Sequence, residues 1–202
     1  MNEIKKATLG RLPIYLEFLR EVQKERETVS TSFIAKGLSL GDVQVKKDLS
    51  SVCNKGKPKI GYKTAELIRD IEKIITNVKT GIVLVGAGKI GKAILDYDGF
   101  SKFGLNIVAA FDNDEEKIGK SENGKVILPM SQLKEYCEKN GISIGIITVP
   151  KLFAQEVCDK LIDSGVKAIW NFAPVKLTTD KNVTILQENL ALSLAYLNLM
   201  SI

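Results

Sequence analysis

Apolar positions along the chain change their period partway. Over residues 12–24, Leu12, Tyr15, Leu16, Leu19 and Val22 recur at helical spacing and predict a first helix, with Pro13 in its first turn, where a missing N–H is tolerated. A polar stretch, KERETVSTS, comes next, and Ser30, Thr31 and Ser32 are candidate N-caps for a short helix through Leu38. Ser39 to Gly41 read as a turn, after which Asp42 opens a third helix, DVQVKKDLSSV. Helix, helix, three-residue turn, helix is the helix-turn-helix arrangement. KGKPKIGY then sets Lys55, Lys57 and Lys59 at a period of two around Gly56 and Pro58, which predicts a hairpin wing with its ammonium groups on one side. Residues 64–79 form an amphipathic helix with Leu67, Ile71, Ile74, Ile75 and Val78 on one face, a brace between the front piece and the rest of the chain.

From residue 82 short apolar runs alternate with helical segments. The pattern predicts strand 82–86, helix 89–97, strand 107–111, a strand near 126–128, helix 131–139, strand 142–148, helix 152–164 and strand 166–170. Such alternation specifies a parallel sheet covered on both faces. The last segment, ENLALSLAYLNLMSI, spreads Leu190, Leu192, Leu194, Leu197, Leu199 and Met200 around nearly the whole circumference of a helix. One flat surface cannot bury all of them, so this helix needs a groove with walls on both flanks, of the kind a second subunit supplies in a homodimer.

The fold class is therefore α/β: an N-terminal winged helix-turn-helix with its linker helix (1–79), a Rossmann-like parallel-sheet domain (80–186) and a C-terminal dimerisation helix (187–202). Of the 202 residues 45% are hydrophobic, enough for each half to bury a core. The net charge of +5 is unevenly placed: residues 1–79 hold 16 Lys/Arg against 10 Asp/Glu, and the remainder holds 13 against 14. Basicity belongs to the front piece, which points to a polyanionic partner there. Cys53, Cys137 and Cys158 form no Cys-x-x-Cys pair and there is no histidine, so no zinc site is expected. An odd cysteine count, with Arg11, Pro13 and Glu17 where a secretory apolar core would be needed, fits a cytoplasmic protein. No apolar run approaches the length of a membrane span.

The chemistry is concentrated at residues 83–91, VLVGAGKIG, where an apolar run breaks into Gly-x-Gly-x-x-Gly, and at Asp112, 21 positions past the last glycine and closing a second apolar run. This is the dinucleotide fingerprint in its required setting of strand, glycine turn, helix and distal acid. Gly86 permits the tight turn, Gly88 lets backbone approach a pyrophosphate, Gly91 allows close helix packing, and Asp112 can take the ribose hydroxyls.

ATLGRLPIY (7–15), QVKKDLS (44–50), VGAGKIG (85–91), LDYDGF (95–100), VAAFDND (108–114), IGIITVP (144–150) and NFAPVKL (171–177) occur in this order, and together they resemble the Rex family of bacterial redox-sensing transcriptional repressors. The resemblance spans nearly the whole chain. It implies a winged helix on a palindromic operator of double-stranded DNA, an NAD(H) site that distinguishes NADH from NAD⁺, and a terminal helix exchanged between two protomers. By the same resemblance Gly86, Ala87, Gly88, Lys89, Ile90 and Gly91 hold the pyrophosphate and Asp112 the adenosine ribose. Thr148, Val149 and Pro150 line the cleft, Asn171, Phe172, Ala173 and Pro174 sit toward the nicotinamide, and Tyr97 helps report its redox state. Ser39, Gln44, Lys46, Lys47, Lys55, Lys57 and Lys59 are the candidate DNA contacts.

Three departures from the family pattern matter. Ser51, Val52, Cys53, Asn54 and Lys55 replace the usual aromatic-glycine run after DLS. Ala191 stands where the swapped helix commonly carries an aspartate able to pair with the arginine of helix one, here Arg11, so weaker redox discrimination than the family norm is expected. Lys46-Lys47 replaces Arg-Lys, and a lysine is a point charge without the bidentate fork for guanine, which shifts base reading toward Gln44. Two other readings compete. An NAD-dependent oxidoreductase needs a positioned acid or base, yet there is no histidine and no Tyr-x-x-x-Lys pair. A winged-helix regulator binding another adenosine ligand, such as coenzyme A, remains compatible, because the glycine turn recognises a diphosphate.

Overall fold

The computed structural model describes residues 4–53, 56–57, 60–76, 81–119 and 121–201. The chain divides into two compact units, Met1–Lys79 and Thr80–Ile202. In the first, α1 (Lys6–Val22), α2 (Thr31–Gly37), α3 (Asp42–Val52) and α4 (Thr64–Thr76) surround a core of Leu12, Tyr15, Leu16, Leu19, Ile34, Val45, Leu49, Leu67 and Ile71. Ser30 caps α2 by accepting from the Phe33 N–H at 3.1 Å. Ser39, at φ +54°, turns the chain between α2 and α3 in the left-handed region. Short strands β1 (Thr28–Val29) and β2 (Tyr62–Lys63) pair antiparallel, and Lys57 bridges to Gly61.

Pro13 is not in a first turn. Helix α1 begins at Lys6, a turn and a half earlier than its apolar period predicts, and Pro13 lies inside it. An interior proline costs a helical hydrogen bond. The early turns persist because Thr8, Arg11 and Tyr15 all donate to the buried Asp48 carboxylate of α3. Helix α4 is described to Thr76, so Val78 and the end of the expected brace lie outside the described residues.

The second unit is a seven-stranded sheet. Strands β3 (Gly81–Val85), β4 (Asn106–Asp112), β5 (Ser121–Glu122), β6 (Lys125–Pro129), β7 (Ile142–Ile147), β8 (Ala168–Asn171) and β9 (Thr184–Gln187) run in the order β5-β6-β4-β3-β7-β8-β9. All neighbours are parallel except β5 and β6. Strand β9 extends the sheet beyond the elements the sequence predicts. Along β3 the side chains alternate: Val83 and Val85 pack with Leu133 and Cys137 of α6 (Leu133–Asn140) and with Val157, Cys158 and Leu161 of α7 (Ala154–Asp163). Ile82 and Leu84 pack on the other face with Leu95 of α5 (Lys89–Asp96). Apolar residues on both faces of one strand are what a doubly covered parallel sheet requires.

All three cysteines are buried and unbridged. Burial, reinforced by Glu138 and Asp159, pushes the Cys137 and Cys158 thiols up to about 11, so they act as packing residues. Among the described residues no helix is long and apolar enough to cross a membrane. The last helix, α8 (Leu190–Met200), is capped by Asn189, whose Oδ1 accepts from the Ala191 and Leu192 N–H groups, yet it buries none of its residues. Leu190, Leu192, Leu194, Leu197 and Leu199 are each 60–70% exposed, so α8 does not pack on its own unit.

Candidate functional site

A cleft of about 760 Å³ opens at the carboxyl ends of the strands, around the point where the order reverses between β3 and β7. In open α/β sheets this is where ligands bind. The glycine turn forms its floor. Gly86 takes φ +102°, a conformation disfavoured for any residue with a Cβ. A methyl at Gly91 would collide with the Gly86 carbonyl oxygen, so α5 can lie against the turn only with glycine there. Gly88 differs from both: a methyl there would meet no protein atom within 4 Å. The space beside it is a cradle at the N-terminus of an eight-residue helix, where the first N–H groups lack intrahelical acceptors and favour an anion. Lys89 and Ile90 line the cleft beside it.

Asp112 closes one end. Its Oδ2 accepts from the Ala87 N–H at 2.7 Å and its Oδ1 from the Asp114 N–H at 2.9 Å, so the acid also tethers the glycine turn. Ala87 is itself buried and contributes that N–H rather than a lining side chain. Lys117 Nζ lies 3.3 Å from Asp112 and 3.0 Å from Asp114. Its pKa is raised, first by the hydrogen bond to Asp114, then by Asp112 against the opposing effect of partial burial.

The opposite wall is set by β7 and β8. Thr148 Oγ1 donates to the Gly86 carbonyl at 2.7 Å and holds the loops after β3 and β7 together, with Val149 and Pro150 lining the cleft next to it. Phe172, Ala173 and Pro174 complete the wall. Asn171 does not line the cleft. It is fully buried, donates to the Val175 carbonyl at 3.0 Å and to Gln187 Oε1 at 2.7 Å, and accepts from the Ala173 N–H at 3.0 Å. It therefore shapes the loop that presents Phe172 to Pro174. Tyr97 also lies away from the cleft, 60% exposed after α5. A series of ring contacts runs from it through Phe100 and Trp170 to Phe172, with centroid separations of 5.0, 6.1 and 4.6 Å.

Sequence reasoning missed Asn113, Asp114, Lys117, Met130, Phe153 and Val157, which also line the cleft. The signal was positional for all but Lys117: the others lie just past the end of a predicted strand or in the helical segment after one, and strand ends converge at a switch point.

In the first unit, α3 turns Val45, Asp48 and Leu49 inward and leaves Val43, Gln44, Lys46 and Lys47 exposed. Ser39 and Lys57 are exposed too, while Lys55 and Lys59 lie outside the described residues. Asp48 is a buried hub. Its Oδ1 accepts from Thr8 Oγ1 at 2.8 Å, Arg11 Nη2 at 3.0 Å and Gln44 Nε2 at 3.0 Å, and its Oδ2 from Arg11 Nε at 2.6 Å and Tyr15 OH at 2.7 Å. Burial alone would raise the carboxyl, but the Arg11, Tyr15 and Thr8 bonds with the Arg11 charge outweigh it and hold Asp48 at about 2. Burial and the same carboxylate push the Tyr15 hydroxyl up to about 12. Arg11 thus has a carboxylate partner inside its own unit.

Comparison with known proteins places both units. Residues 3–50 match the family model "Putative DNA-binding protein N-terminus", and residues 77–175 match the CoA binding domain model. The redox-sensing transcriptional repressor Rex of Desulfitobacterium hafniense is 40% identical over 197 residues, 96% of this chain and 94% of that protein. Rex of Brevibacillus brevis is 41% identical over 188 residues, 91% of this chain and 90% of its own. The solved structure of the Rex-family repressor RSP with beta-NAD⁺ and operator DNA superposes with a TM-score of 0.89 at 28% identity, covering 99% of this chain and 93% of RSP. RSP with beta-NADH gives 0.84 at 29% identity, covering 99% and 95%. Likeness of this degree, over nearly the whole of both chains, means that the chain belongs to the Rex family of redox-sensing transcriptional repressors.

Proposed function

We propose that this protein is a homodimeric, cytoplasmic repressor that grips a palindromic operator with two copies of α3 and lets go when NADH fills the cleft of the second unit. The observation that carries the reading is the open cradle at Gly88, facing the start of α5 with Asp112 at one end of the same cleft. An anionic pyrophosphate fits that cradle, a ribose fits beside an acid, and the apolar wall of Val149, Pro150 and Phe172 suits a flat ring. Gly88 with the first N–H groups of α5 would hold the diphosphate and Asp112 the ribose. Pro150, Phe172 and Pro174 would border the nicotinamide.

Nicotinamide loses its positive charge and puckers on reduction, which lets one pocket hold its two forms unequally. Unequal binding regulates DNA only if each form also favours a different dimer shape, and linkage then requires operator DNA to weaken NADH binding by the same factor. A dimeric helix-turn-helix protein must space its recognition helices about 34–36 Å apart to meet successive major grooves. A switch from mostly open to mostly closed needs about 5.5 kcal/mol of differential affinity. The Arg11–Asp48 pair within the first unit, with Ala191 on the terminal helix, favours a weaker redox response than in relatives with the full switch pair.

Selection of bound duplexes from a random library, with and without NADH, is expected to yield a palindrome whose recovery falls when NADH is present. Calorimetry with NADH, NAD⁺, NADPH and coenzyme A tests the ligand: NADH should bind most tightly, and NADPH poorly because its 2′-phosphate meets Asp112. Tighter binding of coenzyme A would overturn the redox reading and support the alternative in which the sheet serves another adenosine ligand.

A further inference from the structure

Gln44 stands in the first turn of α3, on the margin between the buried face of Val45, Asp48 and Leu49 and the exposed face of Val43, Lys46 and Lys47. In a helix-turn-helix the N-terminal residues of the second helix reach the base edges. A glutamine amide has a donating and an accepting end, and an unrestrained one presents either. Gln44 is restrained: its Nε2 lies 3.0 Å from Asp48 Oδ1. An ionised carboxylate only accepts hydrogen bonds, so a reversed amide would set its oxygen against that of the buried Asp48 carboxylate. Asp48 in turn cannot rotate away, because Thr8, Arg11 and Tyr15 fix both of its oxygens. Val43, 68% exposed beside it, marks this turn as one that faces outward.

We infer that the Asp48 hub presets Gln44 with its Oε1 directed outward, so that Gln44 selects a base bearing an exocyclic amine in the major groove, adenine N6 or cytosine N4, and rejects the keto bases guanine and thymine. Asp48 is here a positioning residue for base reading. In the major groove the amine of adenine or cytosine donates, whereas guanine O6 and thymine O4 accept and would face the Gln44 oxygen. The inference rests on α3 being the DNA-reading helix.

The test uses the full chain and its selected operator. Each adenine is replaced in turn by purine, each cytosine by 2-pyrimidinone and each guanine by 2-aminopurine, which remove only the N6 amine, the N4 amine and the O6 oxygen from the groove edge. Affinities are compared for wild type and Gln44→Ala, with thermal melts showing that the exposed substitution leaves the fold intact. At one position per half-site, loss of the amine should weaken wild type about fivefold and leave Gln44→Ala unchanged. Which analogue carries the effect tells adenine from cytosine. Coupling at a guanine O6, or no coupling at any position in a wild type that binds its operator, overturns the inference. Asp48→Asn gives a second reading. Its carboxamide can meet Gln44 with either end, so repeat selection should admit keto bases at that one position, whereas a loss of affinity equal for all bases would make Asp48 merely structural. A wild type that binds no selected duplex removes the repressor reading itself, a failure distinct from the others.

Discussion

A methyl group added at Gly88 meets no protein atom within 4 Å, and the backbone there, at φ −82° and ψ −164°, suits alanine. At Gly91 the same methyl strikes the Gly86 carbonyl oxygen. Gly88→Ala is therefore expected to keep the wild-type melting temperature and lose at least about tenfold in NADH affinity, because the methyl occupies the diphosphate space. Gly91→Ala should instead destabilise the second unit by about 2–4 kcal/mol, visible in thermal melts without any ligand. Asp48 gives a test in pH. Its folded pKa lies below the usual carboxylate value, so the stability it contributes is present above about pH 4 and is lost as pH falls toward 2, a change of about 2 kcal/mol. Acid melts of the full chain should show that slope, and Asp48→Asn should flatten it while costing about 3 kcal/mol at neutral pH by stranding the Arg11 charge. The tight turn at Gly86 and the close packing at Gly91 were legible in the sequence because each stems from a fixed offset in one turn. The Arg11–Asp48 pair, 37 residues apart, was not, since ion pairing between helices has no period. Lys117 escaped for a related reason: the loop that borders Asp112 is settled by tertiary packing.

Helix α3 places Lys46 and Lys47 on its exposed side, beside Gln44. Each lysine that meets a phosphate releases counterions, so Lys46→Ala and Lys47→Ala should each reduce the log-log salt slope of operator binding by about 0.9, with affinity falling alike across sequences. A slope that stays unchanged would return these lysines to the solvated surface. Most helices and central strands were legible, as apolar stripes of period 3.6 or as short continuous apolar runs. The short strands β1 and β5 were not, and neither were two longer features. The early turns of α1 are held by Thr8 and Arg11 reaching Asp48, polar anchors that hydrophobic periodicity does not register. Strand β9 is an edge strand with three of its four residues exposed, so it carries little of the apolar signal of a central strand.

At the scale of the whole molecule the decisive element is α8, a helix ringed with leucine that its own unit leaves uncovered. Removal of residues 189–202 should convert the proposed dimer to a monomer by sedimentation and cut operator affinity by orders of magnitude, since two half-sites can no longer be held by one particle. Because α8 buries nothing in its own unit, circular dichroism of the shortened chain should retain the sheet. If the shortened chain still sediments as a dimer, the pairing lies elsewhere. The proposed dimer, with α8 covered by a second copy, should also make thermal resistance rise with protein concentration. Where chains are too few for the proposed dimer to dominate, its concentration grows as the square of the number of chains made, so halving synthesis would cut the supply of operator-competent pairs about fourfold with no change in nicotinamide balance.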